Sequence, residues 1–174
     1  FLDLKFHDIP TTVYKAVKAI NSLKVNYLSI HSLGGSDMIK AATKASGYTK
    51  ILTVLLLSHH DQKSINEIGI KQSVQTEIKR LMFNALKNNV SGLILAPKDL
   101  EIVKKIKKNI LIFVPGIRTK KNKKDEHKRS LDPLSAIKKG ANYIIIGRPI
   151  TKSKNPKKIL QLINEEIKNC LEEN

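Results

Sequence analysis

The stretch Ile51-Leu-Thr-Val-Leu-Leu-Leu57 is almost wholly apolar and has the length of one β-strand. A short run of this kind is typical of a strand in a parallel sheet whose two faces are both covered. Five further runs along the chain have the same character: Leu2–Phe6, Tyr27–His31, Leu93–Ala96, Leu111–Val114 and Tyr143–Ile146. The sequence therefore predicts six short strands, nearly all of them apolar.

Amphipathic helical patterns lie between these strands, and this alternation decides the fold class. The patterns cover Thr12–Ser22, Asp37–Ala45, Val74–Lys87, Asp99–Lys107, Pro133–Lys138 and Pro156–Leu171. Regular βα alternation predicts an α/β fold, either a TIM (β/α)8 barrel or a doubly wound sheet. A closed barrel needs eight βα units in about 250 residues. The 174 residues contain six βα units. The sequence begins inside a predicted strand, with Phe1 and not with an initiator methionine. We therefore expect residues 1–174 to be one barrel domain that carries strands 3–8 and lacks the two units before them.

Composition restricts the class of protein and its environment. The net charge is +17, but the lysines are spread along nearly every helix, and the chain has no Trp. A nucleic-acid surface concentrates its cations and adds aromatic stacking, so we expect no nucleic-acid partner. No apolar run approaches the roughly 20 residues of a membrane span, and no signal peptide is visible. The single Cys170 fits a reducing compartment, so we expect a cytoplasmic protein.

Three charged residues lie on or beside the first predicted strand. In Phe1-Leu-Asp-Leu-Lys-Phe6 alternate side chains share one face, so Asp3 and Lys5 project together while the apolar side chains at positions 2, 4 and 6 are buried. Asp8 follows at the strand end. A lysine between two carboxylates keeps its charge, so Lys5 is predicted to be a positioned proton donor. An exposed ion pair at a strand end is the alternative interpretation.

Polar residues and glycines follow other strands, where a barrel active site would lie. Ser58 follows the third strand and is predicted to hydrogen-bond a polar ligand. Pro115 and Arg118 follow the fifth strand, and Gly147-Arg148 follow the sixth. A glycine lets the backbone approach a ligand closely, and the arginine fork matches phosphate oxygens. We therefore predict a phosphate site at the last two strands, with a simple turn as the alternative for Gly-Arg-Pro.

The remaining features of the chain have more modest interpretations. The lysine-rich stretch Thr119–Asp132 lacks apolar periodicity and is predicted to be a loop that could close over the anion. His31 is expected to be a structural, hydrogen-bonded residue, and Gly34-Gly35 predict a tight turn into a helix. His59-His60-Asp61 has no further ligands spaced nearby, so we predict no metal site.

Four motifs together resemble the orotidine 5′-phosphate decarboxylase family. They are Asp3-Leu-Lys-Phe-His-Asp-Ile-Pro-Thr-Thr12, His31-Ser-Leu-Gly-Gly35, Val114-Pro-Gly-Ile-Arg118 and Ile146-Gly-Arg-Pro-Ile-Thr151. They occur in the order and approximate spacing of that family, and the resemblance covers essentially the whole chain. The first motif is shared with other sugar-phosphate decarboxylases and aldolases, whereas Asp-Ile-Pro together with Pro-Gly-Ile-Arg is far more specific.

The resemblance implies a (β/α)8-barrel homodimer with active sites at the dimer interface, and no metal or organic cofactor. The implied reaction removes CO2 from orotidine monophosphate to give uridine monophosphate, with Lys5 protonating the C6 carbanion beside Asp3. Asp8, Ile9 and Thr12 would reach across into the partner subunit's site. Further implied substrate contacts are Ser58 at the pyrimidine, Arg118, Gly147 and Arg148 at the phosphoribosyl end, and His127 as a donor to the phosphate. Pro115 is also implied to contact the substrate.

Departures from the family pattern leave two alternatives open. Thr11 stands where the family commonly has Asn, Leu57 where it often has Thr, and Thr119 where it often has Pro. The loop after the fifth strand carries lysines and His127 where the family has glycines and a Gln. The family also takes an Asp and a Lys from its first two strands, which are not in this sequence. The alternatives are a related sugar-phosphate decarboxylase or aldolase, and a catalytically decayed fragment.

Overall fold

The computed structural model describes residues 1–103, 109–118 and 131–172, apart from the side chains of residues 170 and 171. In these residues six strands form one sheet: β1 (Leu2–Phe6), β2 (Tyr27–His31), β3 (Lys50–Val54), β4 (Gly92–Ile94), β5 (Leu111–Val114) and β6 (Tyr143–Ile144). The strands pair in chain order, and every pairing is parallel. All six carboxyl ends therefore meet at one edge of the sheet.

Helices connect successive strands, as parallel pairing requires. In the described ranges they are α1 (Pro10–Ile20), α2 (Gly35–Ala45), α3 (Gln62–Glu67), α4 (Val74–Lys87), α5 (Leu100–Val103), α6 (Pro133–Lys138), α7 (Arg148–Thr151) and α8 (Pro156–Glu172). Short 3-10 turns cover Asn21–Leu23, Ser32–Gly34 and Pro97–Asp99. Val17 of α1, Ile39 of α2 and Ile78 of α4 are fully buried in one core with the sheet.

The sheet is rolled, as a barrel requires. Strands four positions apart in a flat sheet would be separated by about 19 Å, at about 4.8 Å per strand. Instead the ring centroids of Phe1, beside β1, and Phe113, on β5, are 5.5 Å apart. Those of Tyr27, on β2, and Tyr143, on β6, are 5.6 Å apart. The six strands therefore form part of a (β/α)8 barrel, and the predicted fold class is confirmed.

Side chains alternate between the two faces of β3 and build two separate layers. Ile51 and the following Leu55 pack with the helices in the larger core. Leu52 and Val54 point to the concave face, where they pack with Ile94 of β4. Burial on both faces explains why such a strand contains almost no polar residue.

Some strands are shorter than the sequence predicts. β3 ends at Val54 and not at Leu57, and β4 and β6 also end earlier. Leu55 and Leu56 are nevertheless buried, with 0% and 2% exposure. These residues are apolar because the segment that follows β3 is buried, and not because it pairs as a strand. A short apolar run is expected in both cases, so the sequence does not distinguish them.

The predicted burial of Leu4 is wrong, since its side chain is 48% exposed. β1 lies at the edge of the described sheet, and its pairing with β2 is irregular between Leu2 and Phe6. Strict alternation between faces holds only in a regular strand. Leu2 and Phe6 do pack against the core, as predicted.

Parts of three predicted segments lie outside the described residues. They are the second half of Asp99–Lys107, most of Thr119–Asp132, and the side chain of Cys170. Asp132 is described, and its Oδ1 accepts from the Ser135 N–H at 2.9 Å, so it caps α6. Across the described ranges no helix is long and apolar enough to cross a bilayer.

Candidate active site

Asp3 and Lys5 form an ion pair on β1. The Lys5 Nζ lies 2.6 Å from Asp3 Oδ2, and the two side chains are 36% and 34% exposed. The prediction that these side chains project together is confirmed, whereas their catalytic role stays a prediction. An ion pair at the boundary with solvent adds little to the free energy of unfolding. Its main effect is to hold the Lys5 ammonium in a defined position.

A buried serine on β2 contacts both members of this pair. Ser29 has 0% exposure, and its Oγ donates to Asp3 Oδ1 at 2.7 Å. The same oxygen accepts from the backbone N–H of Lys5 at 2.9 Å. Sequence reasoning missed Ser29. The signal that could have found it is a hydroxyl in the buried middle of a strand, between Leu28 and Ile30.

Asp8 lies apart from the ion pair. Among the described residues Lys5 pairs with Asp3 and not with Asp8, whose Oδ1 instead accepts from the Ile9 N–H at 2.6 Å. Asp8, Ile9 and Thr12 are all exposed, Ile9 at 63%. The expectation that Lys5 sits between two carboxylates is therefore wrong within one chain, because the turn before α1 leaves Asp8 at the surface.

His31 and His7 lie beside each other at the carboxyl ends of β2 and β1. Their ring centroids are 5.6 Å apart. Burial lowers the pKa of His31, and the nearby positive charges of His7 and Lys5 lower it further. His31 Nδ1 is buried without a hydrogen-bond partner in the described part of the chain. The predicted hydrogen bond is therefore not made by this nitrogen. A buried nitrogen without a partner favours the neutral imidazole over the charged one.

Gly34 and Gly35 form the tight turn that the sequence predicts. Gly35 has a φ of 79°, a conformation that favours glycine. A Cβ on Gly34 would lie 2.1 Å from Met38 Sδ and 3.3 Å from His7 Cδ2. The missing side chain therefore allows the connection after β2 to pack against the segment after β1.

Residues after β3 and β5 reach the same edge of the sheet. Ser58 and Arg118 are both buried, each with 7% exposure. Arg118 Nη1 donates to the Ile117 carbonyl oxygen at 2.9 Å. Gly116 has a φ of 76° and makes the turn between Pro115 and Ile117. These positions agree with the predicted strand ends, and the predicted ligand contacts stay predictions.

Gly147 and Arg148 connect β6 to α7. Gly147 is exposed, and a Cβ placed on it would have no heavy atom within 4 Å. Arg148 is half-buried and is the first residue of α7. The open space at Gly147 is what close approach of a ligand to the backbone requires.

The other candidate ligand residues are His59, His60, Asp61 and His127. His127 lies outside the described residues, so its phosphate contact stays a prediction. The rings of His59 and His60 are 4.2 Å apart, while Asp61 caps α3 by accepting from the Ser64 N–H at 3.0 Å. Within the described ranges no group of three or more His, Cys, Asp or Glu side chains could hold a metal ion.

The sequence matches a known family over most of its length. Residues 1–163 match the model of the orotidine 5′-phosphate decarboxylase / HUMPS family. A protein named orotidine 5′-phosphate decarboxylase from Aquifex aeolicus is 44% identical over 161 residues, which are 90% of this chain and 68% of that protein. A protein of the same name from Nitrosomonas eutropha is 38% identical over 174 residues, 98% of this chain and 75% of that protein.

Solved structures agree with these matches. The crystal structure of orotidine 5′-phosphate decarboxylase from Lactobacillus acidophilus superposes with a TM-score of 0.81 and 32% identity, over 96% of this chain and 74% of that one. The Pyrococcus horikoshii structure of the same name gives a TM-score of 0.73 and 25% identity, over 95% and 72% of the two chains. The relatives are thus longer than the chain described above.

Proposed function

Because the chain belongs to the orotidine 5′-phosphate decarboxylase / HUMPS family, we propose that it converts orotidine monophosphate to uridine monophosphate and CO2. This reaction completes the synthesis of a pyrimidine nucleotide. The observation that carries the proposal is the Asp3–Lys5 ion pair, 2.6 Å long. It lies on a barrel strand near the edge where barrel active sites are found.

Lys5 is the proton donor in the proposed mechanism. When the bond between C6 and the carboxylate breaks, its electron pair stays on C6 and neutral CO2 leaves. The Lys5 ammonium then gives one proton to C6, which completes uridine monophosphate. Because the ammonium faces a charge that develops only during the reaction, it stabilises the transition state more than the ground state.

Asp3 has two functions in this mechanism. Its Oδ2 holds the Lys5 ammonium at 2.6 Å, which limits the positions that the proton donor can take. Its negative charge also disfavours the substrate carboxylate relative to the uncharged CO2 that departs. Both charges belong to the protein, so we propose that the reaction proceeds without a metal or organic cofactor.

The remaining substrate contacts follow the strand ends. Ser58 would meet the pyrimidine, and Pro115 would be a further substrate contact. Gly147, Arg148 and Arg118 would serve the phosphoribosyl end, where the open space at Gly147 admits an oxygen atom close to the backbone. Binding energy from the remote phosphate is then available to position C6 over Lys5.

We also propose a homodimer in which the turn after β1 completes the partner's site. Asp8, Ile9 and Thr12 are exposed on that turn and the start of α1. Ile9, a large apolar residue that is 63% exposed, is suited to burial at such an interface. We place the protein in the cytoplasm, where its single cysteine stays reduced.

The proposed activity is tested on the protein as its gene encodes it, by following CO2 release from orotidine monophosphate. Lys5→Ala should lower kcat by at least about 1,000-fold, because no other group replaces the proton donor. Lys15→Ala is the matched control, since Lys15 is an exposed lysine on α1, and it should keep the parent rate. A Lys5→Ala protein with the parent rate would contradict the assigned role.

The same assay separates the alternatives. Turnover of a keto-sugar phosphate that a chelator abolishes, without turnover of orotidine monophosphate, would place the chain with the sugar-phosphate enzymes. A protein that turns over neither substrate and does not bind uridine monophosphate would be a decayed member of the family.

A further inference from the structure

The backbone of β1 is irregular at the ion pair. Its register with β2 joins Leu2 to Leu28 and Phe6 to Ile30, so β1 advances four residues while β2 advances two. Lys5 lies inside this bulged segment with a φ of 51°, an uncommon conformation for a residue with a side chain. Bulges re-aim side chains and are frequent near active sites.

Ser29 lies opposite the bulge, between the two paired residues of β2. The N–H of Lys5 donates to Ser29 Oγ at 2.9 Å. The serine hydroxyl therefore gives this N–H, which belongs to a residue in a left-handed backbone conformation, a hydrogen-bond partner.

The chemistry of the three groups decides the direction of each hydrogen bond. A backbone N–H only donates, so Ser29 Oγ accepts from Lys5. A carboxylate only accepts, so the Ser29 hydroxyl gives its single proton to Asp3 Oδ1 at 2.7 Å. Asp3 Oδ2 receives Lys5 Nζ at 2.6 Å. These three contacts close a ring of hydrogen bonds. The ring leads from the backbone N–H of Lys5 to the Ser29 hydroxyl, then to the Asp3 carboxylate, and back to the Lys5 ammonium.

We propose that Ser29 is a positioning residue for the decarboxylation: it holds the bulged backbone of Lys5 and the carboxylate of Asp3 in the one arrangement that aims the ammonium at C6. Ser29 has no exposed surface and acts only through these two residues. The inference rests on the proposed function for its effect on rate, while the hydrogen-bonded link itself is independent of that function.

The rate test compares three variants of the protein as its gene encodes it. Ser29→Ala should lower kcat by about 10–100-fold, because a displacement of about 1 Å of a reacting group has this effect. KM should change by less than about threefold, since the phosphate contacts lie elsewhere. Ser29→Thr keeps the hydroxyl and should restore most of the rate. Thr49→Val removes another buried hydroxyl, bonded to the Val25 carbonyl at 2.9 Å, and should leave kcat near the parent value.

A second readout does not depend on turnover. Hydrogen exchange at the Lys5 amide should be slow in the parent protein, faster in Ser29→Ala, and slow again in Ser29→Thr. Equal exchange in parent and Ser29→Ala, or a kcat for Ser29→Ala within threefold of the parent, would overturn the proposal. If the parent protein is inactive but exchange at the Lys5 amide still becomes faster in Ser29→Ala, the proposed function is refuted. The hydrogen bond between Ser29 and the Lys5 backbone would then be supported without it.

Discussion

Tyr27 and Tyr143 meet across the concave face of the sheet with their hydroxyl oxygens 3.1 Å apart, although 116 residues separate them in the chain. The hydrogen bond to Tyr143 raises the pKa of Tyr27. Each tyrosine is the first residue of its strand, β2 or β6. Aromatic side chains therefore fill the amino end of the rolled sheet, and the candidate active site lies towards the other end.

Phe113 is the centre of this aromatic group, and its removal should destabilise the fold. It is 3% exposed, and its ring is stacked 4.4 Å from that of Tyr143. Phe113→Ala should lower the free energy of unfolding in urea by about 3–5 kcal/mol, from lost burial and the cavity left behind. Phe83→Ala is the control, since Phe83 is 65% exposed, and it should change stability by less than about 0.5 kcal/mol. Equal losses of stability in Phe113→Ala and Phe83→Ala would show that the aromatic group does not stabilise the rolled sheet.

Arg148 should determine affinity for the phosphate and not for the base. Arg148→Ala should weaken binding of uridine monophosphate by about 10–100-fold, since a hydrogen bond to a charged group is worth about 1.5–3 kcal/mol. Binding of uridine, which has no phosphate, should change little. Calorimetric titration of both ligands measures the difference. A parallel loss for the two ligands would mean that Arg148 supports the fold of the site and does not bind phosphate.

His31 should make stability depend on mildly acidic pH. Burial lowers its pKa in the folded protein, so the unfolded chain binds a proton first, near the ordinary value of about 6.5. The stabilisation is complete above that pH and is lost as the pH falls through the lower pKa of the folded state. Urea denaturation between pH 7.5 and 5 should show this decline, and His31→Gln should flatten it. The exposed His59, changed to Gln, is the control. An unchanged decline in His31→Gln would contradict the assignment.

Glu77 should contribute to stability at more acidic pH. Its side chain is fully buried, and its two carboxylate oxygens accept from Arg80 Nη2 at 2.5 Å and Arg80 Nε at 2.8 Å. The hydrogen bonds from Arg80 hold the pKa of Glu77 below its ordinary value, against the effect of burial, and Gln72 lowers it further.

Glu77→Gln should therefore lower the free energy of unfolding at pH 7 by about 1–3 kcal/mol. The carboxylate stabilises the fold above its unfolded pKa of about 4.5, and this contribution is lost as the pH falls through the folded value. The two proteins should thus converge in stability in acid. Glu67→Gln, at an exposed position of α3, should show no such convergence, and a constant difference for Glu77→Gln down to pH 2 would refute the ionic explanation.

Sequence patterns predict most of the fold because apolar runs and helical periodicity depend on residues that are close together in the chain. β1, β2, β5 and α4 have the bounds that were expected. α3 is not predicted, although Asp61 and Ser64 form its capping box, because six residues with one buried apolar side chain, Ile65, are too few to show helical periodicity. The extent of β3 was overestimated, since apolar residues were buried without being paired.

The βα order, the apolar strands, and the motif that places Asp3 and Lys5 on one face can be read from the amino-acid sequence, because each depends on residues close together in the chain. The contacts of Ser29 with these two residues, and the separation of Asp8 from them, are seen only in the folded molecule. The same is true of the contact between Tyr27 and Tyr143. Contacts of this kind depend on strand register, a bulge and the roll of the sheet, and these arise from packing between segments that no local pattern encodes.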